Sequence, residues 1–178
     1  GSPAFGEAKS HSEEGLPGFV FPPLATYGDC VLEWSPDGRQ LAVRARGQLS
    51  IMEPSSGKEL RRFSQHGGYA GPIAWSPDGR LLASAGNHGT TLIWNAETGV
   101  VLQVIERPGC AYVADIDWSP DGKSVAVGYY QGTVRIWDVS ADKEAGRIDG
   151  LPDSVHSIDW SPDSSSLALV SGNGQVLA

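Results

Sequence analysis

The sequence predicts an all-β chain built as a stacked array of four-stranded units, and three observations carry that prediction. Trp-Ser-Pro-Asp-Gly occurs at residues 34–38, 75–79 and 118–122, and a near-copy, Trp160-Ser161-Pro162-Asp163-Ser164, follows, so the four tryptophans lie 41, 43 and 42 residues apart. β-type residues alternate on both sides of each copy, and no stretch keeps a helical period over three turns. A fixed period in the low forties marks units that each need a neighbour to cover an apolar face.

Within each unit the elements follow in order. Leu32/Trp34, Ile73/Trp75, Ile116/Trp118 and Ile158/Trp160 alternate at period two and predict a first strand. Ser-Pro-Asp-Gly then predicts a type I turn, because proline pre-sets φ at its second position, aspartate suits the third and glycine tolerates the fourth. Leu41–Val43, Leu81–Ala83, Val125–Val127 and Leu167–Leu169 give the second strand. A third follows a glycine-containing bend at Gln48–Ile51, Thr90–Trp94, Thr133–Trp137 and Gln175–Ala178, and a fourth at Glu59–Phe63, Val100–Ile105 and Glu144–Ile148.

Gly132-Thr133-Val134-Arg135-Ile136-Trp137-Asp138, Gly89-Thr90-Thr91-Leu92-Ile93-Trp94-Asn95 and the Trp-Ser-Pro-Asp-Gly turns resemble the WD-repeat (WD40) β-propeller family, in a bacterial-type form of the repeat. The resemblance covers residues 18–178 and implies a β-propeller of four-stranded antiparallel blades, with four WD-type repeats in this chain. Propellers that cap some hydrolases and periplasmic proteins share the Ser-Pro-Asp-Gly turn but usually lack the Thr-Val-Arg-Ile-Trp-Asp strand. The family commonly builds a hydrogen-bonded tetrad of His, Ser/Thr, Asp and Trp in each blade. Here the aspartate position holds Arg46, His88, Gln131 and Asn173, only Ser84 supplies the hydroxyl, and Trp-Asp is degraded to Met52-Glu53 in the first blade. Blades without the tetrad are expected to rely on apolar packing.

The formal net charge of −8 argues against nucleic-acid binding by bulk electrostatics, since phosphate contacts need a basic face. Arg44, Arg46, Arg61 and Arg62 come nearest to one and are expected to be exposed on the first blade. Nothing resembles a cleavable signal, and no apolar run approaches a membrane span. Cys30 and Cys110 fall in comparable segments of different blades, which predicts thiols in a reducing, cytoplasmic setting. His11, His66, His88 and His156 are dispersed, so neither a metal nor another cofactor is expected. The chain also lacks a Gly-x-Ser-x-Gly elbow, a phosphate-binding loop and His-Glu-x-x-His, so no enzyme activity is expected. Glu33, Asp117 and Asp159 each precede a first-strand tryptophan and are placed toward the central channel, hydrogen-bonded or solvated there, with Ala74 breaking the ring.

Residues 1–17 read as flexible linker, with Gly1-Ser2 as residues left by cloning. The sequence stops inside the third strand of the fourth repeat. That fits a larger protein that has been cut, and equally a ring closed by a borrowed strand. Phe19–Pro22 has the spacing of the missing outer strand and is expected to pair with Gln175–Ala178, within one ring or between two chains. Closure by a second chain, giving eight blades, is the favoured form.

The resemblance implies a non-catalytic protein-interaction scaffold, which would self-associate to complete the propeller. Its expected contact rim comprises Tyr27, Asp29, Tyr69, His88, Tyr112, Tyr129, Tyr130, Asp153 and His156, where tyrosines with polar tips suit protein recognition. Tyr129 and Tyr130 equally suit the end of a strand. Alternative readings are a regulatory or sensor propeller from a multidomain bacterial-type kinase or NTPase, and an accessory propeller of a hydrolase.

Overall fold

The computed structural model describes residues 9–11, 18–20, 30–45, 47–63, 71–106 and 112–177. The described strands are β1 (Lys9–His11), β2 (Gly18–Val20), β3 (Val31–Trp34), β4 (Leu41–Ala45), β5 (Gln48–Glu53), β6 (Lys58–Phe63), β7 (Ile73–Trp75), β8 (Leu81–Ala85), β9 (Thr91–Asn95), β10 (Val101–Ile105), β11 (Val113–Trp118), β12 (Ser124–Tyr129), β13 (Thr133–Asp138), β14 (Lys143–Ile148), β15 (Val155–Trp160), β16 (Leu167–Ser171) and β17 (Val176–Leu177). One short 3₁₀ turn, Asn87–Gly89, interrupts them. The strands form antiparallel meanders in chain order, β3-β4-β5-β6, β7-β8-β9-β10, β11-β12-β13-β14 and β15-β16-β17. These are the four blades of a β-propeller, the last with three strands.

The segment read as linker contributes β1, which pairs with β2 in a separate two-stranded sheet. Phe19 and Val20 are therefore engaged with Ser10 and Lys9, and β17 pairs with β16. The expected pairing of Phe19–Pro22 with Gln175–Ala178 is absent within the described residues, which exclude Pro22 and Ala178.

Each Ser-Pro-Asp-Gly copy joins the first strand of its blade to the second, as its chemistry predicts. In the first, the Gly38 N–H donates to the Ser35 carbonyl at 2.8 Å. The Ser35 hydroxyl donates to Asp37 Oδ1 at 2.6 Å, and the same carboxylate accepts the Arg39 N–H at 3.0 Å. Gly38, Gly79 and Gly122 sit at φ near +70°, a conformation that disfavours a side chain. Ser164 adopts φ 60° in the fourth copy, and its hydroxyl accepts the Asp121 N–H of the neighbouring turn at 3.1 Å. The Trp-Asp ending works as a cap in the same spirit. Asp138 Oδ1 accepts from the Ala141 N–H at 2.9 Å and Asn95 Oδ1 from the Thr98 N–H at 2.7 Å, while Glu53 accepts from the Ser56 hydroxyl.

The core lies between blades. Ala42, Leu49, Ile51 and Phe63 of the first blade pack on Ile73, Trp75, Leu82 and Trp94 of the second. Ala83, Ile93 and Ile105 of the second meet Ile116, Trp118, Val125 and Val127 of the third, and Ala126 and Val134 meet Val155, Ile158 and Leu169 of the fourth. Strands β3, β7, β11 and β15 touch in succession, so they line the axis. Trp75 and Trp118 fill interblade seams as expected. Trp34 does not: it is 53% exposed, with no blade packed over it among the described residues, and Trp160 is half-buried.

One further expectation is corrected. Arg44 is fully buried rather than exposed, and its guanidinium crosses the seam to the Ala85 carbonyl and, at 3.3 Å, to the Gly71 carbonyl of the next blade. Arg46 lies outside the described residues. Of the tetrad, the bond from the Trp94 indole N–H to the Ser84 hydroxyl is formed in the second blade, at 2.6 Å. Register places Val127 where blade two has Ser84, and the buried Trp137 indole nitrogen has no partner among the described residues.

Replacing Trp118 by Ala is expected to destabilise the array by about 3–5 kcal/mol, the range for large aromatic truncations in cores. Leu102→Ala, on the exposed side of an outer strand, is expected to shift stability by no more than about 0.5 kcal/mol. Urea unfolding of the two variants checks both; equal midpoints would mean that the seam contributes nothing beyond the surface.

Candidate functional site

The ends of the strands opposite the Ser-Pro-Asp-Gly turns bring part of the expected rim together. The last residues of β12 fold back on the start of β11, and the Tyr130 N–H donates to the Tyr112 carbonyl at 3.1 Å. Gly132 then packs flat on the connection to the fourth blade. A Cβ there would lie 2.7 Å from the Leu151 carbonyl oxygen and 2.8 Å from that of Asp153, and its φ of +69° independently favours glycine. This close approach carries Asp153, Ser154 and His156 up beside Tyr130. The Tyr130 and His156 rings meet edge to face with centroids 6.2 Å apart, the Ser154 hydroxyl lies 3.1 Å from His156 Nε2, and Asp153 Oδ1 accepts the Ser154 N–H at 2.7 Å.

Tyr112, Tyr130, Asp153 and His156 are thus exposed and lie on one patch that spans the third and fourth blades. Tyr129 is corrected to a core residue. It is the final inward-facing residue of β12, fully buried, with its hydroxyl 3.5 Å from the Gly89 carbonyl of the second blade. Alternation decides this, since successive strand residues point to opposite faces and only one of the adjacent tyrosines can reach solvent. His88 is exposed in the 3₁₀ turn at φ 61°, and no contact joins it to the Tyr130 patch. Tyr27, Asp29 and Tyr69 lie outside the described residues. Ser154 was not anticipated; a hydroxyl two residues before a histidine near a strand start is too common a pattern to single out.

A second constellation lines the axis. The Glu33 carboxylate accepts the Trp75 N–H of the next blade at 3.1 Å, and the Asp117 carboxylate accepts the Trp160 N–H at 2.7 Å. Asp115 extends the pattern, accepting the Ile158 N–H at 2.9 Å and the Ser157 hydroxyl at 3.1 Å. Its position two residues before Asp117, hence on the same face of β11, was the signal for it. Indoles add a parallel contact, with Trp75 Nε1 donating to the Glu33 carbonyl at 3.3 Å and Trp118 Nε1 to the Ala74 carbonyl at 3.0 Å. Burial pushes the Glu33 carboxyl up to about 7, against the Trp75 N–H bond, which lowers it. Burial likewise raises Asp115 and Asp117. Among the described residues, no group of three or more His, Cys, Asp or Glu side chains is placed to hold a metal ion.

Four meandering sheets, tryptophan-sealed seams and a Trp-Asp turn cap describe one kind of repeat. Two stretches of the chain match WD40 family models. Residues 57–95 match the WD domain, G-beta repeat, and residues 108–163 match the WD40 domain of anaphase-promoting complex subunit 4. Among relatives with WD40-type similarity, F-box-like/WD repeat-containing protein TBL1Y of Homo sapiens is 32% identical over 72 residues, 40% of this chain and 14% of that protein. Small ribosomal subunit protein RACK1y of Oryza sativa subsp. japonica is 42% identical over 45 residues, 25% of this chain and 13% of that protein. Protein HIR1 of Cryptococcus neoformans var. neoformans is 31% identical over 78 residues, 43% of this chain and 9% of that protein. The chain thus aligns with less than one sixth of the length of each of these relatives.

The axial acids set a pH dependence. The folded chain holds a proton on Glu33 up to about pH 7, whereas the unfolded chain releases it near 4.5, so between these values the folded state binds more protons. Stability from this group is complete below the unfolded value and declines as pH rises through the folded one, with Asp115 and Asp117 acting in the same direction. The turn residues Asp37, Asp78, Asp121 and Asp163 are shifted down, chiefly by the serine hydroxyl bond, and oppose this only on acidification below the ordinary carboxylate range. The thermal midpoint is expected to be higher at pH 5 than at pH 8, and Glu33→Gln is expected to shrink that difference, because an amide oxygen keeps the Trp75 bond without the charge. Calorimetric scans across pH check this; an unchanged slope in the variant would show that Glu33 ionises at no cost.

Proposed function

We propose that this chain is a non-catalytic protein-interaction scaffold whose contact surface is the patch of Tyr112, Tyr130, Asp153 and His156. The observation that carries the reading is the placement of two exposed tyrosines and a histidine on a rigid rim. Tyr130 is fixed by the β11–β12 end and His156 by β15, so neither must be ordered on binding, and rigid aromatic anchors with polar tips contribute contact at low entropic cost. The Ser154–His156 pair offers no catalytic relay, since Asp153 accepts from Ser154 rather than orienting the imidazole. Similarity to WD-repeat proteins, one named as a small ribosomal subunit protein, supports the scaffold reading at the level of the repeat.

The proposal extends to self-association, in which two four-blade arcs joined head to tail form an eight-bladed ring of the kind propellers build. Such a homodimer would present the aromatic patch twice.

Placing a photo-reactive phenylalanine analogue at Tyr130 is expected to give crosslinked products with proteins of the source cell, and the same analogue at exposed Leu102 on the outer strand is expected to give few. Tyr112→Ala/His156→Ala in the Tyr130-labelled chain should reduce the specific products several-fold without altering the melting temperature. Identical product patterns from positions 130 and 102 would overturn the rim as the contact surface.

A further inference from the structure

The connection that carries Asp153 and Ser154 is held by glycines from two blades. Gly132, in the β12–β13 bend, packs against its carbonyls, and Gly172, in the β16–β17 bend, packs against its side chains. A Cβ on Gly172 would fall 2.7 Å from Ser154 Oγ and 2.9 Å from Asp153 Oδ1, and the Gly172 N–H donates to the Ser154 carbonyl at 2.7 Å. Asp153 Oδ1 is then occupied twice, by the Ser154 N–H at 2.7 Å and the Ser154 hydroxyl at 3.3 Å. The carboxylate is therefore fixed in one orientation while it stays exposed, and its Oδ2 accepts no hydrogen bond among the described residues.

The same serine ties this carboxylate to an aromatic pair. Ser154 Oγ lies 3.1 Å from His156 Nε2, and the imidazole meets the exposed Tyr130 ring edge to face. The charge of the patch is uncompensated, because the described basic side chains stand elsewhere. Arg39, Arg80 and Lys123 directly follow the Ser-Pro-Asp-Gly turns at the opposite end of the strands, and Lys58 and Lys143 open fourth strands at that end. Arg61 and Arg62 belong to the outer strand of the first blade, and Arg44 is buried. In the third blade Arg135 and Arg147 are paired with Glu144 and Asp149. With a formal net charge of −8 on the chain, the potential over this rim favours a cation.

We propose that this rim takes an arginine side chain of a partner protein, with the guanidinium paired to Asp153 and laid against the Tyr130 and His156 rings. This rests on the rim being the contact surface, as above. Three features of the patch select that group. The carboxylate is pre-oriented with one oxygen open, so a donor fork meets it without reordering the segment. Aromatic rings stand one side chain away, and a guanidinium is flat and weakly hydrated enough to stack on a ring while its fork pairs with the acid. A lysine ammonium, a compact and strongly hydrated point charge, gains less from the rings. The sign of the patch also turns away phosphate-bearing surfaces, which need a basic face.

NMR titration of the whole isotope-labelled chain, read at the Ser154 and His156 amides, tests the contact with two peptides. One is acetyl-Gly-Ala-Arg-Ala-Gly-amide, and the other carries citrulline, which keeps the shape of arginine without its charge. The arginine peptide is expected to bind saturably and the citrulline peptide about fivefold more weakly, the scale of one exposed charge pair. Asp153→Asn, whose amide oxygen still accepts the Ser154 N–H, is expected to abolish the preference for arginine. Asp142→Asn, at an exposed carboxylate in the β13–β14 turn, is expected to keep it. No saturable shift with the arginine peptide, equal affinity for the two peptides, or an Asp153→Asn chain that still prefers arginine overturns the contact. The rim itself is judged separately, with the photo-reactive analogue at Tyr130. Asp153→Lys in that chain is expected to reduce the specific products several-fold at an unchanged melting temperature. Specific products that persist in Asp153→Lys overturn the arginine contact and leave the rim standing, whereas identical products from positions 130 and 102 overturn both.

Discussion

Each blade leaves the axis-facing edge of its first strand without a sheet partner, and the rest of the arc depends on how that edge is satisfied. Backbone N–H groups withdrawn from water must find acceptors, and an open strand edge is a template for unwanted pairing. Here the acceptor comes from the blade before: Glu33, Asp115 and Asp117 reach across the seam to the N–H groups of Trp75, Ile158 and Trp160. The bond fixes the rotation of one blade on the next, so it sets which apolar residues meet. Its cost is visible in the raised carboxyls, which are held in a low-dielectric channel edge against their preference for water.

This axial bonding changes the consequence of losing the tetrad. In the second blade the Trp94 indole still reaches Ser84, and Phe63 of the first blade stacks edge-on against it with ring centroids 5.0 Å apart. In the third blade Val127 replaces that serine and the Trp137 indole nitrogen is buried without a partner among the described residues, an arrangement that costs about 1–3 kcal/mol. The seam compensates elsewhere. Gly128 admits the Val155 side chain to a distance that any Cβ would forbid, and Gln103 and Arg135 tie the second blade to the third through the Val139 and Glu106 carbonyls at 2.7 Å each.

What the sequence made legible follows from which features are local. The strands and the Ser-Pro-Asp-Gly turns were readable because period-two alternation and turn chemistry are encoded by adjacent residues, and the structure matches them to within a residue or two. Trp34 was misplaced because repeat symmetry assigns every copy the same environment, while burial depends on a neighbour that the first copy does not meet among the described residues. Arg44 was read as exposed because charge alone suggests solvent; its burial depends on two carbonyls contributed from 27 and 41 residues away. The role of Glu33 and Asp117 was half legible, since their place at the channel followed from register but their acceptor duty toward the next blade did not.

The tyrosine pair shows why the rim was harder to read than the frame. Tyr129 and Tyr130 are chemically identical neighbours, yet one closes the core against the second blade and the other stands in solvent beside His156. The difference is set by strand parity along β12, which pairs with β13 without a break from Ser124 to Tyr129. On its other side β11 shifts register between Val113 and Asp115, an irregularity opposite Tyr129. That irregularity lies directly below the patch and beside Asp115, whose carboxylate holds the fourth blade by Ile158. The surface aromatic and the axial carboxylate are thus oriented by the same stretch of backbone. A change that relaxes the β11 irregularity would move both the contact rim and the seam, which ties recognition at the rim to the integrity of the blade array.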